Sequence, residues 1–422
     1  MTIGSADSKR QAMQLAYYGQ TAGIILFMLV TRSAFGTLFI THLGGSDRLA
    51  MFLLAIPGLL PFIQLPLSLI INPAKGKRFL LGGWACYGVL MALIALIPSL
   101  FSNPLHILRL TILALVLAIF ANLAAATFWF PLLHEIIPAS HRGRFFGKLR
   151  ATWSILLFLA TISSGLFLGK SPATARFQII ILIGVLGITL RHILISRIPL
   201  QGRPKTNPDD YRDWRQYLKD IFTDGQLKRF YLYFALLGCC AGFLGHPLVL
   251  YMRDLGLAPR DNIIVFGFTT FGTVLALYLG GHSIDRFGIR RVLMMAHTTI
   301  LTMLLFIAMI TIRPSPVLPL FLAVAFALSG VAVAVANLAC TTQLFHQAPD
   351  RGRVFYLSLI NVLTFLGPAF ATLTAGIVLG LWGSGWSAHL IGIEINLYQI
   401  MLTAAGITTL AATGLLKGIH NI

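Results

Sequence analysis

The stretch GGHSIDRFGIRRV, residues 280–292, separates two apolar segments at 262–282 and 291–312. Each of these segments is long enough to cross the roughly 30 Å hydrocarbon core of a bilayer as a helix. The glycines and charged residues between them then form a short connection at one membrane face. The stretch therefore indicates two membrane-spanning helices joined by a tight, basic turn.

Similar apolar segments recur on both sides of this stretch, along the whole chain. We place them at 17–42, 49–72, 79–101, 107–134, 146–169, 177–197, 230–252, 262–282, 291–312, 316–345, 354–381 and 395–416. The chain is 57% hydrophobic and 11% charged, which is too little polar surface to cover a soluble globule of 422 residues. The sequence predicts an all-α integral membrane protein with twelve transmembrane helices.

The formal net charge of +19 would favour nucleic acid as a partner if the protein were soluble, but its distribution indicates a membrane protein. Most Lys and Arg residues fall in every second loop, in clusters at 75–78, 142–150, 286–291 and 351–353. Cytoplasmic loops of membrane proteins carry such an excess. We therefore expect both termini in the cytoplasm, the lipid bilayer as the surroundings, the cell inner membrane as the location and no nucleic-acid partner.

The longest polar stretch divides the twelve segments into six and six. We predict a six-helix bundle over 1–197, a cytoplasmic linker over 198–229 and a second six-helix bundle over 230–422. Within the linker, apolar side chains recur at three- and four-residue spacing from Trp214 to Phe222, with charges opposite. This spacing predicts an amphipathic helix along the inner membrane surface.

The two halves repeat each other in sequence. A shift of 212 residues aligns LGGSDR at 43–48 with LGLAPR at 255–260, and Gly76 with Gly288. Further along, ANLA at 121–124 recurs at 336–339, and RFQII at 176–180 corresponds to LYQIM at 397–401. Small-residue pairs such as Gly376 with Gly380 permit close helix contact. Repeated halves are typical of secondary transporters.

The opening stretch carries the pattern Gly-x-x-x-Asp-Arg-x-Gly-x-Arg-Arg, and with it the chain resembles the major facilitator superfamily. The matching residues are Gly281, Asp285, Arg286, Gly288, Arg290 and Arg291. The resemblance implies two pseudo-symmetric six-helix bundles and a cytoplasmic gate that the Asp braces against a helix start. The partners here would be the start of span eleven and Arg351. The first half departs from the pattern, with Leu69 and Pro73 in place of the Gly and the Asp.

A closer resemblance is to bacterial members of that superfamily with an aromatic residue near the end of span four, then a Pro and an RGRFFG loop. This sequence has Trp129, Pro138 and the loop from Arg142 to Gly147. Arg142 would join the gating residues. This second resemblance implies nothing about the substrate.

Arg32 lies inside the first apolar segment, in GIILFMLVTRSAFGTLFI at 23–40. An arginine in hydrocarbon costs roughly 2.5–3.5 kcal/mol on insertion scales, so it marks an aqueous cavity or a charged partner. Two interpretations stay open: contact with an anionic substrate, or an ion pair with Glu394 or Asp254 at outer span ends. In the repeat, Arg32 aligns two residues before His246, which precedes a proline.

By resemblance, spans one, four, seven and ten surround the substrate cavity, and polar residues in spans are candidates to contact the substrate. Beside Arg32 and His246 these are Asn122, Asn337, Gln64, Trp129 and Asn361. Each is equally open to interpretation as a packing or helix-contact group. His246 and Glu135 are the candidates to relay a coupling proton, and the other acidic residues fall in loops or at span ends.

The sequence has no paired carboxylates, nucleophile elbow or zinc-ligand spacing, so we expect no enzyme activity, no metal and no cofactor. It favours a secondary active transporter that moves a small organic, preferably anionic, solute by alternating access. One alternative is an efflux carrier for amphipathic or cationic compounds, which the aromatic and Met content favours. Another is a non-transporting protein that delivers pigment or lipid, or senses a ligand.

Overall fold

Helices make up nearly all of the described chain. The computed structural model describes residues 6–64, 67, 75–138, 141–199, 214–310, 317–347, 353–390 and 393–416. The first-half helices are α1 (Ala6–Arg32), α2 (Ala34–His42), α3 (Asp47–Leu59), α4 (Gly76–Leu100), α5 (Pro104–Ala126), α6 (Trp129–Ile136), α7 (Arg142–Leu168) and α8 (Thr174–Ser196). A 3-10 turn, Leu60–Ile63, follows α3.

The second half continues the same pattern. Its helices are α9 (Trp214–Thr223), α10 (Gly225–Gly242), α11 (His246–Asp254), α12 (Pro259–Phe287), α13 (Ile289–Ala308), α14 (Leu318–Gln347), α15 (Arg353–Trp382) and α16 (Leu397–Leu416). Between α15 and α16, strands β1 (Ser387–Leu390) and β2 (Ile393–Asn396) pair antiparallel, with Ser387 opposite Asn396. The sequence did not predict this hairpin.

Eleven helical segments within the described residues are long and apolar enough to cross a membrane. They correspond to all the predicted spans except the second, where the described helix is the thirteen-residue α3. An all-helical membrane architecture is thereby confirmed. The second predicted span, and with it the total of twelve, stays a prediction, as does the cytoplasmic position of the termini.

Contacts divide the chain into two units. The first unit contains α1, α2 and α4 to α8, and the second contains α3 and α9 to α16. Helix α3 therefore packs within the second unit, although its sequence lies inside the first half. The bundle boundaries at 198–229 stay a prediction, and residues 200–213 of that linker lie outside the described part.

The predicted repeat is present in the backbone. Gly44 and Gly256, which the 212-residue shift superposes, both have φ of +86°. In each turn the residue after the glycine donates to a helix carbonyl five residues back, at 3.0 Å: Gly45 to Ile40, and Leu257 to Met252. Such left-handed residues end helices by satisfying carbonyls that have lost their helical partner. The same helix end is thus built twice.

The later part of the repeat aligns in space as well as in sequence. Gln178 in α8 donates from Nε2 to the Ala95 carbonyl at 2.7 Å, and Gln399 in α16 donates to the Ala308 carbonyl at 2.8 Å. Both glutamines are the matched residues of RFQII and LYQIM. The first bond joins α8 to α4, and the second joins α16 to α13; in each half these are the sixth and the third predicted spans.

Helix α9 lies within the stretch predicted as the linker. Tyr217 and Ile221 are buried, whereas Gln216 and Lys219 are exposed. The next helix starts at Asp224, whose Oδ1 accepts from the Gln226 amide at 2.7 Å and caps α10. The position of α9 at the membrane surface stays a prediction.

Glycines allow two helix pairs of the second unit to approach closely. In α12 and α14, a Cβ added at Gly272 would fall 2.9 Å from the Ala327 carbonyl carbon, and one at Gly330 would fall 2.9 Å from the carbonyl carbon of Thr269. The predicted pair Gly376 and Gly380 of α15 faces the side chains of Met51 and Arg48 in α3. The backbone-to-backbone contact between α12 and α14 leaves no space for a side chain.

We expect Gly272→Ala to lower the thermal unfolding midpoint of the protein in detergent. The added methyl meets backbone that cannot rotate away, and overpacking costs about 1–3 kcal/mol. Gly82→Ala in α4 is the matched control, because a Cβ there meets nothing within 4 Å. The control should be neutral or more stable, since alanine favours helix. Equal midpoints for both variants would contradict close packing of α12 on α14.

One arginine joins α3 to α11 within the second unit. Arg253 donates from Nη1 and Nη2 to the two carboxylate oxygens of Asp47, at 2.7 and 2.9 Å, and from Nη2 to Asp254 at 2.8 Å. The Asp47 side chain is only 14% exposed. Two parallel bonds of this kind fix geometry as well as adding energy.

A double-mutant cycle with Asp47→Ala and Arg253→Ala should give a coupling free energy of about 1 kcal/mol, because the bonds are bidentate but Arg253 is partly exposed. Thermal unfolding of the four proteins in detergent measures it. Arg260 and Asp261, a partly exposed pair of sequence neighbours joined by a single bond of 2.8 Å, form the control cycle and should give less than about 0.5 kcal/mol. Additive effects at Asp47 and Arg253 would show that the pair does not hold α3.

Candidate functional site

The first predicted span is broken next to Arg32. Helix α1 ends at Arg32 and α2 begins after Ser33, whose extended backbone interrupts the helix. The Ser33 hydroxyl accepts from the Phe35 amide at 3.1 Å and donates to the Leu29 carbonyl at 2.6 Å. One side chain thus replaces the backbone partners that the break removes, which an apolar environment requires.

Arg32 is the exposed residue in a segment that is otherwise buried. Residues 29–31 and 33–40 are all buried, while the Arg32 side chain is exposed. One and two turns earlier, Met28 and Ile24 are half-buried and lie on the same helical stripe. The packing of the surrounding residues leaves the Arg32 side chain as the accessible part of this stretch.

The repeat-matched region of the second half is broken as well, but it is closed. Helices α10 and α11 are separated by residues 243–245, and Leu244, which aligns with Arg32, is buried. His246 is 8% exposed, and its ring stacks on Phe266 with 6.4 Å between centroids. The structure therefore places His246 in a packed position at the start of α11.

The other predicted substrate residues fall into different surroundings. Gln64 donates from Nε2 to the Leu123 carbonyl at 3.1 Å, next to Asn122. Asn122 is buried, and its Oδ1 has no hydrogen-bond partner in the described part of the chain. Asn337 is half-buried.

Trp129 packs in the core of the first unit, 5.6 Å from the Trp84 ring centroid. The side chain of Asn361 lies outside what the structure describes.

The charged motif of 280–292 lies at the junction of α12 and α13. Gly288 has φ of +77° and occupies both the end of α12 and the start of α13, which explains the glycine. The charged residues of the motif are exposed: Asp285, Arg286, Arg290 and Arg291.

The predicted gate contacts are not seen in the described residues. Among them Asp285 makes no hydrogen bond or ion pair, and Gly281 is part of α12. Arg351 and the Arg142 side chain lie outside the described part, so the braced gate stays a prediction.

The two acidic residues considered as ion-pair partners of Arg32 make other contacts. Asp254 accepts two hydrogen bonds from Arg253, and Glu394 accepts one from the Ser387 hydroxyl at 2.7 Å. Glu135, the relay candidate, is half-buried in α6, and burial raises its pKa above the ordinary value. A raised carboxyl pKa favours the protonated form, as a relay requires.

The sequence analysis missed Arg191. This arginine interrupts the apolar run of α8 five residues before the helix ends. In the structure it is 1% exposed, and its guanidinium carbon lies 3.9 Å from the Trp84 ring centroid. Its position inside a run that is otherwise apolar was the signal available in the sequence.

Several solved structures have a fold similar to that of this chain. A mutant of the nucleoside transporter NupG matches with a TM-score of 0.72 and 13% identity, over 98% of this chain and 100% of that one. A bacterial homologue of the human lysosomal transporter Spinster has a TM-score of 0.67 and 14% identity, over 98% and 97%. A D-xylose-proton symporter has a TM-score of 0.67 and 14% identity, over 96% and 97%.

At these identities the structural likeness shows the fold alone, and no curated protein matches the sequence. The family comparison is decisive. The sequence model of the Major Facilitator Superfamily matches residues 21–372 and, in a second match, residues 247–416. Together with the apolar helices, this makes the protein a multi-pass membrane protein with a transporter fold. The chain belongs to the Major Facilitator Superfamily.

Proposed function

We propose that this protein is a secondary transporter that moves a small organic anion across the cytoplasmic membrane by alternating access. The observation that carries the proposal is the exposed Arg32 side chain in an otherwise buried stretch of a membrane-spanning segment. A cation held at this depth is costly unless it faces water or binds an anion. A transported anion would bind this cation each time it enters.

The broken helix supports an anion at this place. The N-terminal end of α2 follows Arg32 directly, and helix N-termini carry partial positive charge. In transporters, such half-helix ends near the midplane point at anionic substrate groups. Arg32 and the start of α2 thus contribute charge of the same sign at one point of the chain.

The two halves contribute unequally to the proposed site. The residue that aligns with Arg32 in the second half is the buried Leu244, and His246 is packed against Phe266. The anion therefore depends on the first half for its charge, and the second half supplies the repeated scaffold. Protonation of Glu135 is the proposed route for a coupling ion.

The test is a thermal-shift screen of the purified protein against metabolite anions, followed by transport in proteoliposomes. A ligand at 100 times its Kd stabilises the folded state by about 2.7 kcal/mol. We expect Arg32→Gln to lose the shift and at least about ten-fold of the transport rate, because a hydrogen bond to a charged group contributes about 1.5–3 kcal/mol. Arg32→Lys should retain part of both.

Arg109→Gln serves as the matched control, because Arg109 is an exposed arginine in the first turns of α5. It should behave as the wild type. Unchanged transport in Arg32→Gln would refute the anion site. Transport of amphipathic cations that survives Arg32→Gln would instead support the efflux alternative, and absence of flux across the whole panel would support a non-transporting role.

A further inference from the structure

Arg191 is a buried cation that has no ion-pair partner within the described part of the chain. It is 1% exposed, and its Nε and Nη2 atoms have no hydrogen-bond partner in the described part of the chain. Its neighbours are the Trp84 ring at 3.9 Å and the Tyr87 phenol, with which it interacts electrostatically. A cation–π contact offsets only part of the cost of burying a charge.

The sequence of the first unit offers few carboxylates that could neutralise it. Within the helices of that unit, the sequence contains two acidic residues, Asp7 and Glu135. Asp7 lies more than four turns of α1 before Gly23, the α1 residue that touches Arg191. Burial alone raises the pKa of Glu135, as expected for a carboxyl group without a nearby cation.

The carbonyls at the end of α8 do not provide the missing acceptors either. Lys77 Nζ donates to the Ser196 and Ile198 carbonyls at 2.8 and 2.6 Å. The partial negative charge of this helix end is therefore already matched by a lysine. Arg191, one turn further into the helix, keeps its unpaired donors.

The fold itself does not require an arginine here. In the second half, the residue that corresponds to Arg191 is Ala412, and the residue that corresponds to Gly23 is Ala235. In the first half, a Cβ at Gly23 would lie 2.5 Å from the Arg191 Nε, so this glycine makes room for the guanidinium. The same helix packing is thus achieved with small apolar residues in one half and with a cation in the other.

We propose that Arg191 and Tyr87 form an internal binding site for a small monovalent inorganic anion, with Trp84 as its wall. Tyr87 is 1% exposed, and its hydroxyl has no hydrogen-bond partner within the described residues. This hydroxyl therefore adds a donor beside the guanidinium. A fully buried site requires the ion to lose its hydration, and this cost rises with charge. Chloride therefore suits the site better than phosphate or a dicarboxylate.

The site is tested by thermal unfolding of the purified protein in detergent, with sodium chloride titrated against sodium gluconate at constant ionic strength. We expect a saturable rise of about 2–4 °C for the wild type in chloride. Arg191→Met should abolish the rise, and Tyr87→Phe should shift the titration midpoint to at least about five-fold higher chloride. Arg176→Gln, which removes an arginine from the outer end of α8, should retain the full response.

Arg32→Gln separates this site from the transport site, because it should keep the chloride response while losing the response to organic anions. The proposal is overturned if the wild type unfolds at the same temperature in both salts. It is equally overturned if Arg191→Met responds as the wild type does. Should Arg191→Met fail to fold, Tyr87→Phe decides: an unchanged midpoint rejects the site, and a raised midpoint supports it.

Discussion

Backbone hydrogen bonding inside an apolar medium is the constraint on which the rest of this structure depends. A helix that crosses lipid satisfies its own amides and carbonyls, so each interruption needs substitute partners. At the first interruption the Ser33 hydroxyl supplies them. At the second, Phe243, Leu244 and Gly245 donate in succession to carbonyls three residues back, at 3.0–3.3 Å. Both solutions keep the chain paired while changing its direction.

The two solutions leave different surroundings for the residue at the break. The serine solution holds an arginine whose side chain reaches an accessible space, whereas the tight-turn solution buries a leucine. The pseudo-symmetric scaffold is thus electrically one-sided. In the proposed transport mechanism the positive site lies on the first half, and the matched position of the second half carries no charge.

Much of the fold was predictable from the sequence, because helices that cross a membrane are recognisable from their length and apolar composition. The repeat was predictable too: the glycines at 44 and 256 aligned in sequence and share one backbone conformation. The interruption at Ser33 was not, since a serine in a helix is common and only tertiary packing decides whether its hydroxyl replaces backbone partners. Between the strands of the short hairpin after α15 the sequence has Ile-Gly, and not the Asn-Gly or Asp-Gly pair that makes such turns recognisable.

The candidate site was predictable only in part. Arg32 was found because a charge in an apolar run is costly anywhere along a span. The same rule applies to Arg191, but this residue was overlooked because it lies near the end of its helix, where charged residues are common. For Trp129 the sequence left substrate contact and packing both open, and the structure shows it packed against Trp84. Side-chain direction, which a single sequence leaves undetermined for such a helix, decides these cases.

The position of α3 has a consequence for the connectivity of the molecule. The chain passes from one unit to the other between Ser46 and Asp47, returns between Leu59 and Leu60, and passes over once more in the linker. A protease that cuts the linker therefore leaves the amino-terminal fragment with one helix still seated among those of the carboxyl-terminal fragment. The nicked protein would migrate as a single particle on gel filtration, with its two fragments resolved only after denaturation.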